Sequence, residues 1–125
     1  MEIRLTILGK IPSKKNSKRI ICRGKFPKVL PSELYVAWHK AQMLLIAPKR
    51  PKRPLERCFI TIRYFAPDKR TADLDNKNSS ICDLLKDAGY VQDDNWFVIS
   101  KLSSELVGID KKNPRAEIEV LNLNY

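Results

Sequence analysis

Histidine is almost missing from this chain, cysteine is scarce, and no apolar run is long. One histidine, His39, and three cysteines, Cys22, Cys58 and Cys82, stand among 125 residues. Structural zinc is held by four Cys or His ligands, commonly in closely spaced pairs. No such pair is present and no zinc set can be assembled, so His39 reads as structural or solvent-facing. An odd number of widely spaced cysteines makes no disulfide framework either, which points to reduced, half-buried thiols in a cytoplasmic protein. No apolar stretch approaches the ~18 residues of a membrane-spanning helix. The start, Met1-Glu2-Ile3-Arg4-Leu5-Thr6, lacks the basic and apolar regions of a secretory signal. The expectation is a soluble protein with no membrane partner, in which Asn78-Ser79-Ser80 matches a glycosylation sequon by chance.

Acid is also in short supply. Fourteen Asp and Glu face 24 Lys and Arg, a formal net charge of +10. On a chain of this size that balance favours a polyanionic partner, nucleic acid first. The charge is segregated: residues 10–28 carry eight bases and no acid, whereas residues 68–94 hold seven of the fourteen acids. The bland account is a solvated basic loop and an ordinary acidic helix; the sharper one is two different tasks. The length is one domain's worth, enough to bury about two-thirds of the surface its unfolded form exposes, so residues 1–125 are expected to form a single domain.

Along the chain, residues 2–8 alternate with period two and predict a strand closed by Gly9. The basic stretch at residues 10–19 contains the turn formers Pro12, Ser13, Asn16 and Ser17 and reads as a loop. A short hairpin is expected around Gly24, residues 20–22 against 26–30. Ser32 is a candidate N-cap for a helix running to about Ala47, with Pro48 as its stop. Leu34, Ala37, Trp38, Ala41, Leu44 and Leu45 recur at three-four spacing and predict its core-facing stripe. Residues 49–54 read as a proline-stiffened basic linker. Residues 57–66 predict a central strand, with apolar residues on both faces, ended by Pro67. A second helix is expected from about Asn76 to Ala88, with Gly89 as its stop. Residues 96–107 and 115–123 predict the last two strands. The order βαβαββ, without repeats, points to a small α/β domain with a mixed sheet and two helices.

The stretch Ala72-Asp73-Leu74-Asp75-Asn76 sets two carboxylates just ahead of the second helix. In an extended segment residues i and i+2 point the same way, so Asp73 and Asp75 can aim into one space. Mg²⁺ asks for oxygen ligands and usually takes only one or two carboxylates, filling the rest with water or phosphate. An N-cap with a surface acid is the plain alternative. The pair Asp93-Asp94 adds weight only if it reaches the helix start; a helix roughly 20 Å long and a six-residue return of about the same span allow that when the chain runs straight back. Asp83 and Asp87, i and i+4 on the helix, read as solvated. An EF-hand is excluded, because Asn78 stands where its glycine belongs and Leu84 where its bidentate glutamate belongs.

Asp73-Leu74-Asp75-Asn76 followed by Asp93-Asp94, with Pro12-Ser13-Lys14-Lys15-Asn16 early in the chain, resembles the RusA family of Holliday-junction resolvases from bacteria and their prophages. The likeness covers most of the chain in the right order. It implies a Mg²⁺-dependent homodimer that cuts four-way DNA junctions by paired symmetric nicks in recombination and repair, with Asp73, Asp75 and Asp94 as metal ligands. One position departs: the family commonly has a lysine three residues after the motif asparagine, and here Ser79 stands there. The candidate DNA contacts are Lys10, Lys14, Lys15, Asn16, Lys18, Arg19, Lys69, Arg70 and Lys77. The alternative is a junction-binding architectural protein of the same fold that has lost turnover. An unrelated RNA-binding domain is disfavoured, because Trp38, Trp96 and the other aromatics read as core and form no exposed stacking set.

Overall fold

The computed structural model of the chain describes residues 2–13, 18–23 and 26–123, and of residues 18–23 and 26–31 the backbone alone. The period-two stretch forms β1 (Glu2–Leu8), whose Ile7 is fully buried. Gly9 ends it at φ 87°, a left-handed conformation that costs a glycine little, and its N–H donates to the Pro114 carbonyl at 2.8 Å. The hairpin is β2 (Lys18–Arg23) against β3 (Phe26–Pro31), antiparallel, so Lys18 and Arg19 belong to a strand rather than to the expected loop.

Ser32 caps α1 (Glu33–Ile46) as its residue type predicts, its hydroxyl accepting from the Tyr35 N–H at 3.1 Å. The expected core stripe is a misreading of face. Leu34, Leu44 and Leu45 are 70%, 77% and 65% exposed, whereas Tyr35 and Ile46 are buried and Trp38 and Met43 pack against the core. Three-four spacing defines a stripe without choosing which neighbour it meets. Here the helix turns its aromatic and polar side toward the rest of the chain and leaves an aliphatic side outward.

After a 3-10 turn at Ala47–Lys49, the chain enters β4 (Cys58–Ala66). Cys58, Ile60, Ile62 and Tyr64 are buried on one face, while Thr61 and Arg63 on the other are exposed, so only one face is core. The strand is nonetheless central. The sheet order is β1, β6 (Arg115–Asn122), β4, β5 (Ile99–Ile109), with β5 parallel to β4 and the other pairings antiparallel. Parallel neighbours need a crossover, and α2 (Leu74–Asp87) supplies it. The small mixed α/β domain with a four-stranded sheet and two helices is thus the architecture expected.

One face of α2 is apolar, with Ile81, Leu84 and Leu85 fully buried against Ile60, Ile62, Ile118 and Val120 of the sheet. Burying side chains of this size is worth about 1.5–3 kcal/mol each, and this layer is the main source of stability. Gly89 at φ 86° closes the helix, with the Gly89 and Tyr90 N–H groups donating to the Lys86 and Leu85 carbonyls at 3.1 and 2.9 Å. A polar tie joins helix to sheet: the Tyr64 hydroxyl donates to Asn78 Oδ1 at 2.7 Å, and Asn78 Nδ2 donates to Ser104 Oγ at 2.8 Å. No described helix is long and apolar enough to cross a membrane.

Candidate active site

α2 begins two residues earlier than expected, at Leu74, with Asp73 as N-cap (φ −87°, ψ 130°) and Asp75 in the first turn. The two carboxylates therefore do not share one extended segment. Asp73 is the last extended residue and Asp75 lies inside the helix, because the chain bends at the cap. Both are exposed at the positive end of the helix, where partial charges on free N–H groups favour anions. The Asp73 side chain makes no cap bond and instead accepts from buried Asn76 Nδ2 at 3.2 Å, which orients it. Ser79, at the position of the departing lysine, donates to the Asp75 carbonyl at 3.0 Å.

The second acidic pair is divided in its partners. Asp93 Oδ1 accepts from the Asp94 N–H at 2.7 Å and lies 3.8 Å from Lys86 Nζ; the Asp94 N–H, more than any other group, holds the Asp93 carboxyl below its usual range. Asp94 itself is exposed, and its charge reaches Cys82, whose thiol is pushed up to about 12 by burial first and by Asp94 next. The return segment therefore passes beside the last turn of α2, where Asp93 meets Lys86. Among the described residues Asp73, Asp75 and Asp94 do not converge to mutual ligating distance; the one trio that does, within 4.8 Å, is His39, Asp83 and Asp87.

That trio joins α1 to α2. His39 Nε2 lies 2.9 Å from Asp87 Oδ2 and Nδ1 lies 3.8 Å from Asp83 Oδ2, while the Tyr35 hydroxyl donates to Asp83 Oδ2 at 2.5 Å. Asp83 and Asp87, read from the sequence as solvated, are thus partnered across the two helices, with Asp87 still exposed. Burial, with Asp83 beside it, raises the pKa of Tyr35 and keeps the phenol neutral.

The basic residues divide as well. Lys10, Lys69 and Arg70 are exposed, and Arg70 leans on Asp68 at 3.8 Å. Lys77 is half-buried and donates to the Ile11 carbonyl, an anchor rather than an outward cation; burial, then Lys10, lowers its pKa. One turn on, buried Ser80 donates to the Pro12 carbonyl at 2.6 Å. These two bonds fasten residues 11 and 12 to the first turns of α2, the helix that carries the acids. Lys14, Lys15 and Asn16 lie outside the described residues, as do the side chains of Lys18 and Arg19.

Next to the helix start opens a cleft of about 460 Å³, lined among others by Lys10, Arg70, Leu74, Lys77, Leu106 and Arg115. Arg115 was not singled out from the sequence. Its guanidinium sits 3.7 Å over the Phe65 ring and 3.0 Å from both Asp110 and Glu117. Nothing local in the sequence marks it; its place follows from the β4–β6 register that pairs Phe65 with Arg115.

Exposed acids at a helix start thus stand beside a cleft where Lys10 and Arg70 are exposed cations, in a small α/β domain of net charge +10. The family described as Endodeoxyribonuclease RusA matches residues 10–121, and the chain belongs to that family, the Holliday-junction resolvases. By that membership it is a nuclease enzyme acting on DNA. A search of curated proteins finds no match.

Proposed function

We propose that this chain is a Mg²⁺-dependent, structure-specific endonuclease that resolves four-way junctions by paired symmetric nicks during recombination and repair. The observation that carries this reading is the exposed Asp73–Asp75 pair at the positive end of α2, in a chain of net charge +10 that belongs to a nuclease family. The donor set suits Mg²⁺: carboxylate oxygens only, exposed enough to leave room for water and a phosphate. Asp73, Asp75 and Asp94 would hold the ion, with Asp94 brought in by the return segment beside α2. When bound, Mg²⁺ supplies Lewis acidity toward the phosphate and a lowered pKa for attacking water.

The protein's own groups do the rest. Asn76 fixes the Asp73 carboxylate; Lys77 and Ser80 hold residues 11 and 12 against the first turns of α2. Lys10, Lys69 and Arg70, with Lys14, Lys15, Asn16, Lys18 and Arg19, would bind phosphates, contacts that position DNA without reading its bases. A homodimer would match the two-fold symmetry of a junction and set two sites for paired cuts. Support for it is the outward aliphatic face of α1, with Leu34, Leu44 and Leu45 exposed in a row.

Ser79 favours a second reading, a junction binder without turnover, because no lysine one turn from Asp75 steadies charge on the scissile phosphate. Cleavage of a labelled four-way junction with Mg²⁺, beside the same reaction in EDTA and a matched linear duplex, separates the two. Symmetric nicks only with metal and only on the junction support the resolvase. Tight junction binding without nicks in either buffer overturns it in favour of the binder.

A further inference from the structure

Trp96 and Phe97 were expected in the core and are instead 79% and 78% exposed. Their rings meet edge to face, 6.1 Å between centroids. The pair stands on a rigid turn. Asn95 Oδ1 accepts from the Phe97 and Val98 N–H groups at 3.0 and 3.2 Å, the Asn95 carbonyl accepts from the Ile99 N–H at 2.9 Å, and the Val98 carbonyl accepts from Cys58 N–H at 2.7 Å. Behind the turn Val98 and Ile99 are buried, and ahead of it Gln92 N–H donates to the Leu55 carbonyl at 2.9 Å. Two large rings are thus presented to solvent by a segment fixed at both ends, which no packing need of the fold explains.

Their place is as telling as their exposure. They follow Asp94 by two and three positions. The other exposed large apolar residues described are aliphatic, and the partly covered rings of Phe59 and Phe65 carry Lys101 and Arg115 over their faces. An exposed aromatic face two positions from Asp94 in a protein of net charge +10 fits one chemistry above others: the π-face of a nucleic-acid base. Stacking of this kind is sequence-tolerant and worth about 1–3 kcal/mol per base. In the interior of a linear duplex each base is already stacked on both sides, whereas at an open branch point the innermost base pairs offer a free face in addition to those at the ends.

We propose that Trp96 and Phe97 form a platform on which a base exposed at the branch point of the DNA stacks, so that Asp94 is brought to the strand by the shape of the junction rather than by its sequence. This rests on the resolvase reading and adds to it the element that tells a junction from a duplex.

The test uses the full chain in EDTA, where no cleavage competes, and titrates a four-way junction and a linear duplex of equal length. Trp96 emission should be quenched by the junction much more than by the duplex, with Trp38, packed on the core, as constant background. The double variant Trp96→Ala/Phe97→Ala should lose roughly 5-fold to 150-fold in its junction-over-duplex affinity ratio, the fold equivalent of one stacked base. Trp96→Phe/Phe97→Tyr, which keeps two rings, should retain most of that ratio. Sedimentation of each variant reads the oligomeric state. A selective wild type with an equally selective double variant overturns the platform and leaves the resolvase reading standing. A double variant that changes oligomeric state overturns it in favour of an interface between copies. A wild type that binds junction no tighter than duplex overturns both readings.

Discussion

α2 carries two acids at each end, and the ends have opposite fates. At its start Asp73 and Asp75 are exposed, and the nearest protein donor is the neighbouring amide of Asn76. In its last two turns Asp83 and Asp87 meet Tyr35 and His39 of α1 at 2.5 and 2.9 Å. The residue type is the same and so is the helix. What separates them is that one pair is spent on joining helices and the other stays exposed at the helix start. Acid count locates neither; the partners do.

The largest expected effect is at the exposed end. Asp75→Asn should lower Mg²⁺-dependent junction cleavage by about 10²–10³-fold, the scale of losing one electrostatic contact to the reacting group, while junction binding and the melting profile persist. Full activity in that variant would erase the distinction between the ends. The converse variant, Tyr35→Phe, should leave cleavage per folded molecule unchanged and cost about 1.5–3 kcal/mol of stability in denaturant titrations, as expected of a hydrogen bond to a charged group. Asp83→Asn with intact folding and no cleavage would move function to the wrong end.

Cys82, buried on α2, feels the charges of Asp94 and Asp83. Burial raises Cys58 to about 11 and Cys82 to about 12 against a usual 9.0. The unfolded chain gives up these protons first, so the stability from neutral thiols is complete below pH 9 and is lost as pH rises through 11 to 12. Melts across that range should show the decline. Because Asp94 weighs more on Cys82 than Asp83 does, thiol titration should find the Cys82 pKa lowered more by Asp94→Asn than by Asp83→Asn. Equal shifts would show that Asp94 has no stronger hold on the Cys82 thiol than Asp83 has. The smallest effect belongs to the cations: Lys10→Ala should reduce the salt slope of duplex binding by about 1, the share of one phosphate contact.

Local signals were legible where one residue decides the geometry. Ser32 at a helix start, Gly9 and Gly89 at positive φ, and the alternation of Ile3, Leu5 and Ile7 are each set by near-neighbour chemistry. The core face of α1 was not, since Leu34, Leu44 and Leu45 share the spacing of a buried stripe and only tertiary packing decides that Tyr35 and Ile46 go inside. The acidic motif was readable as a motif, but its cap at Asp73 shifted the helix by two residues. Lys77 looked like a DNA contact because a charge in a basic chain carries no mark of where its stem will bend; its carbonyl partner is 66 positions away. Trp96 and Phe97 were placed in a strand by their β propensity, and the Asn95 turn delays that strand to Ile99.

The sheet order has a consequence for the life of the molecule. Among the described residues β1 has no strand neighbour but β6, in a register that pairs Glu2 with Leu121, and β6 also separates β1 from β4. A chain emerging from the ribosome makes its first strand early and must keep it waiting until nearly everything else has appeared. The loop that Lys77 and Ser80 fasten to α2 leaves directly from that waiting strand. A nascent chain halted before β6 carries Asp73, Asp75 and Asp94 and lacks the strand that joins β1 to β4.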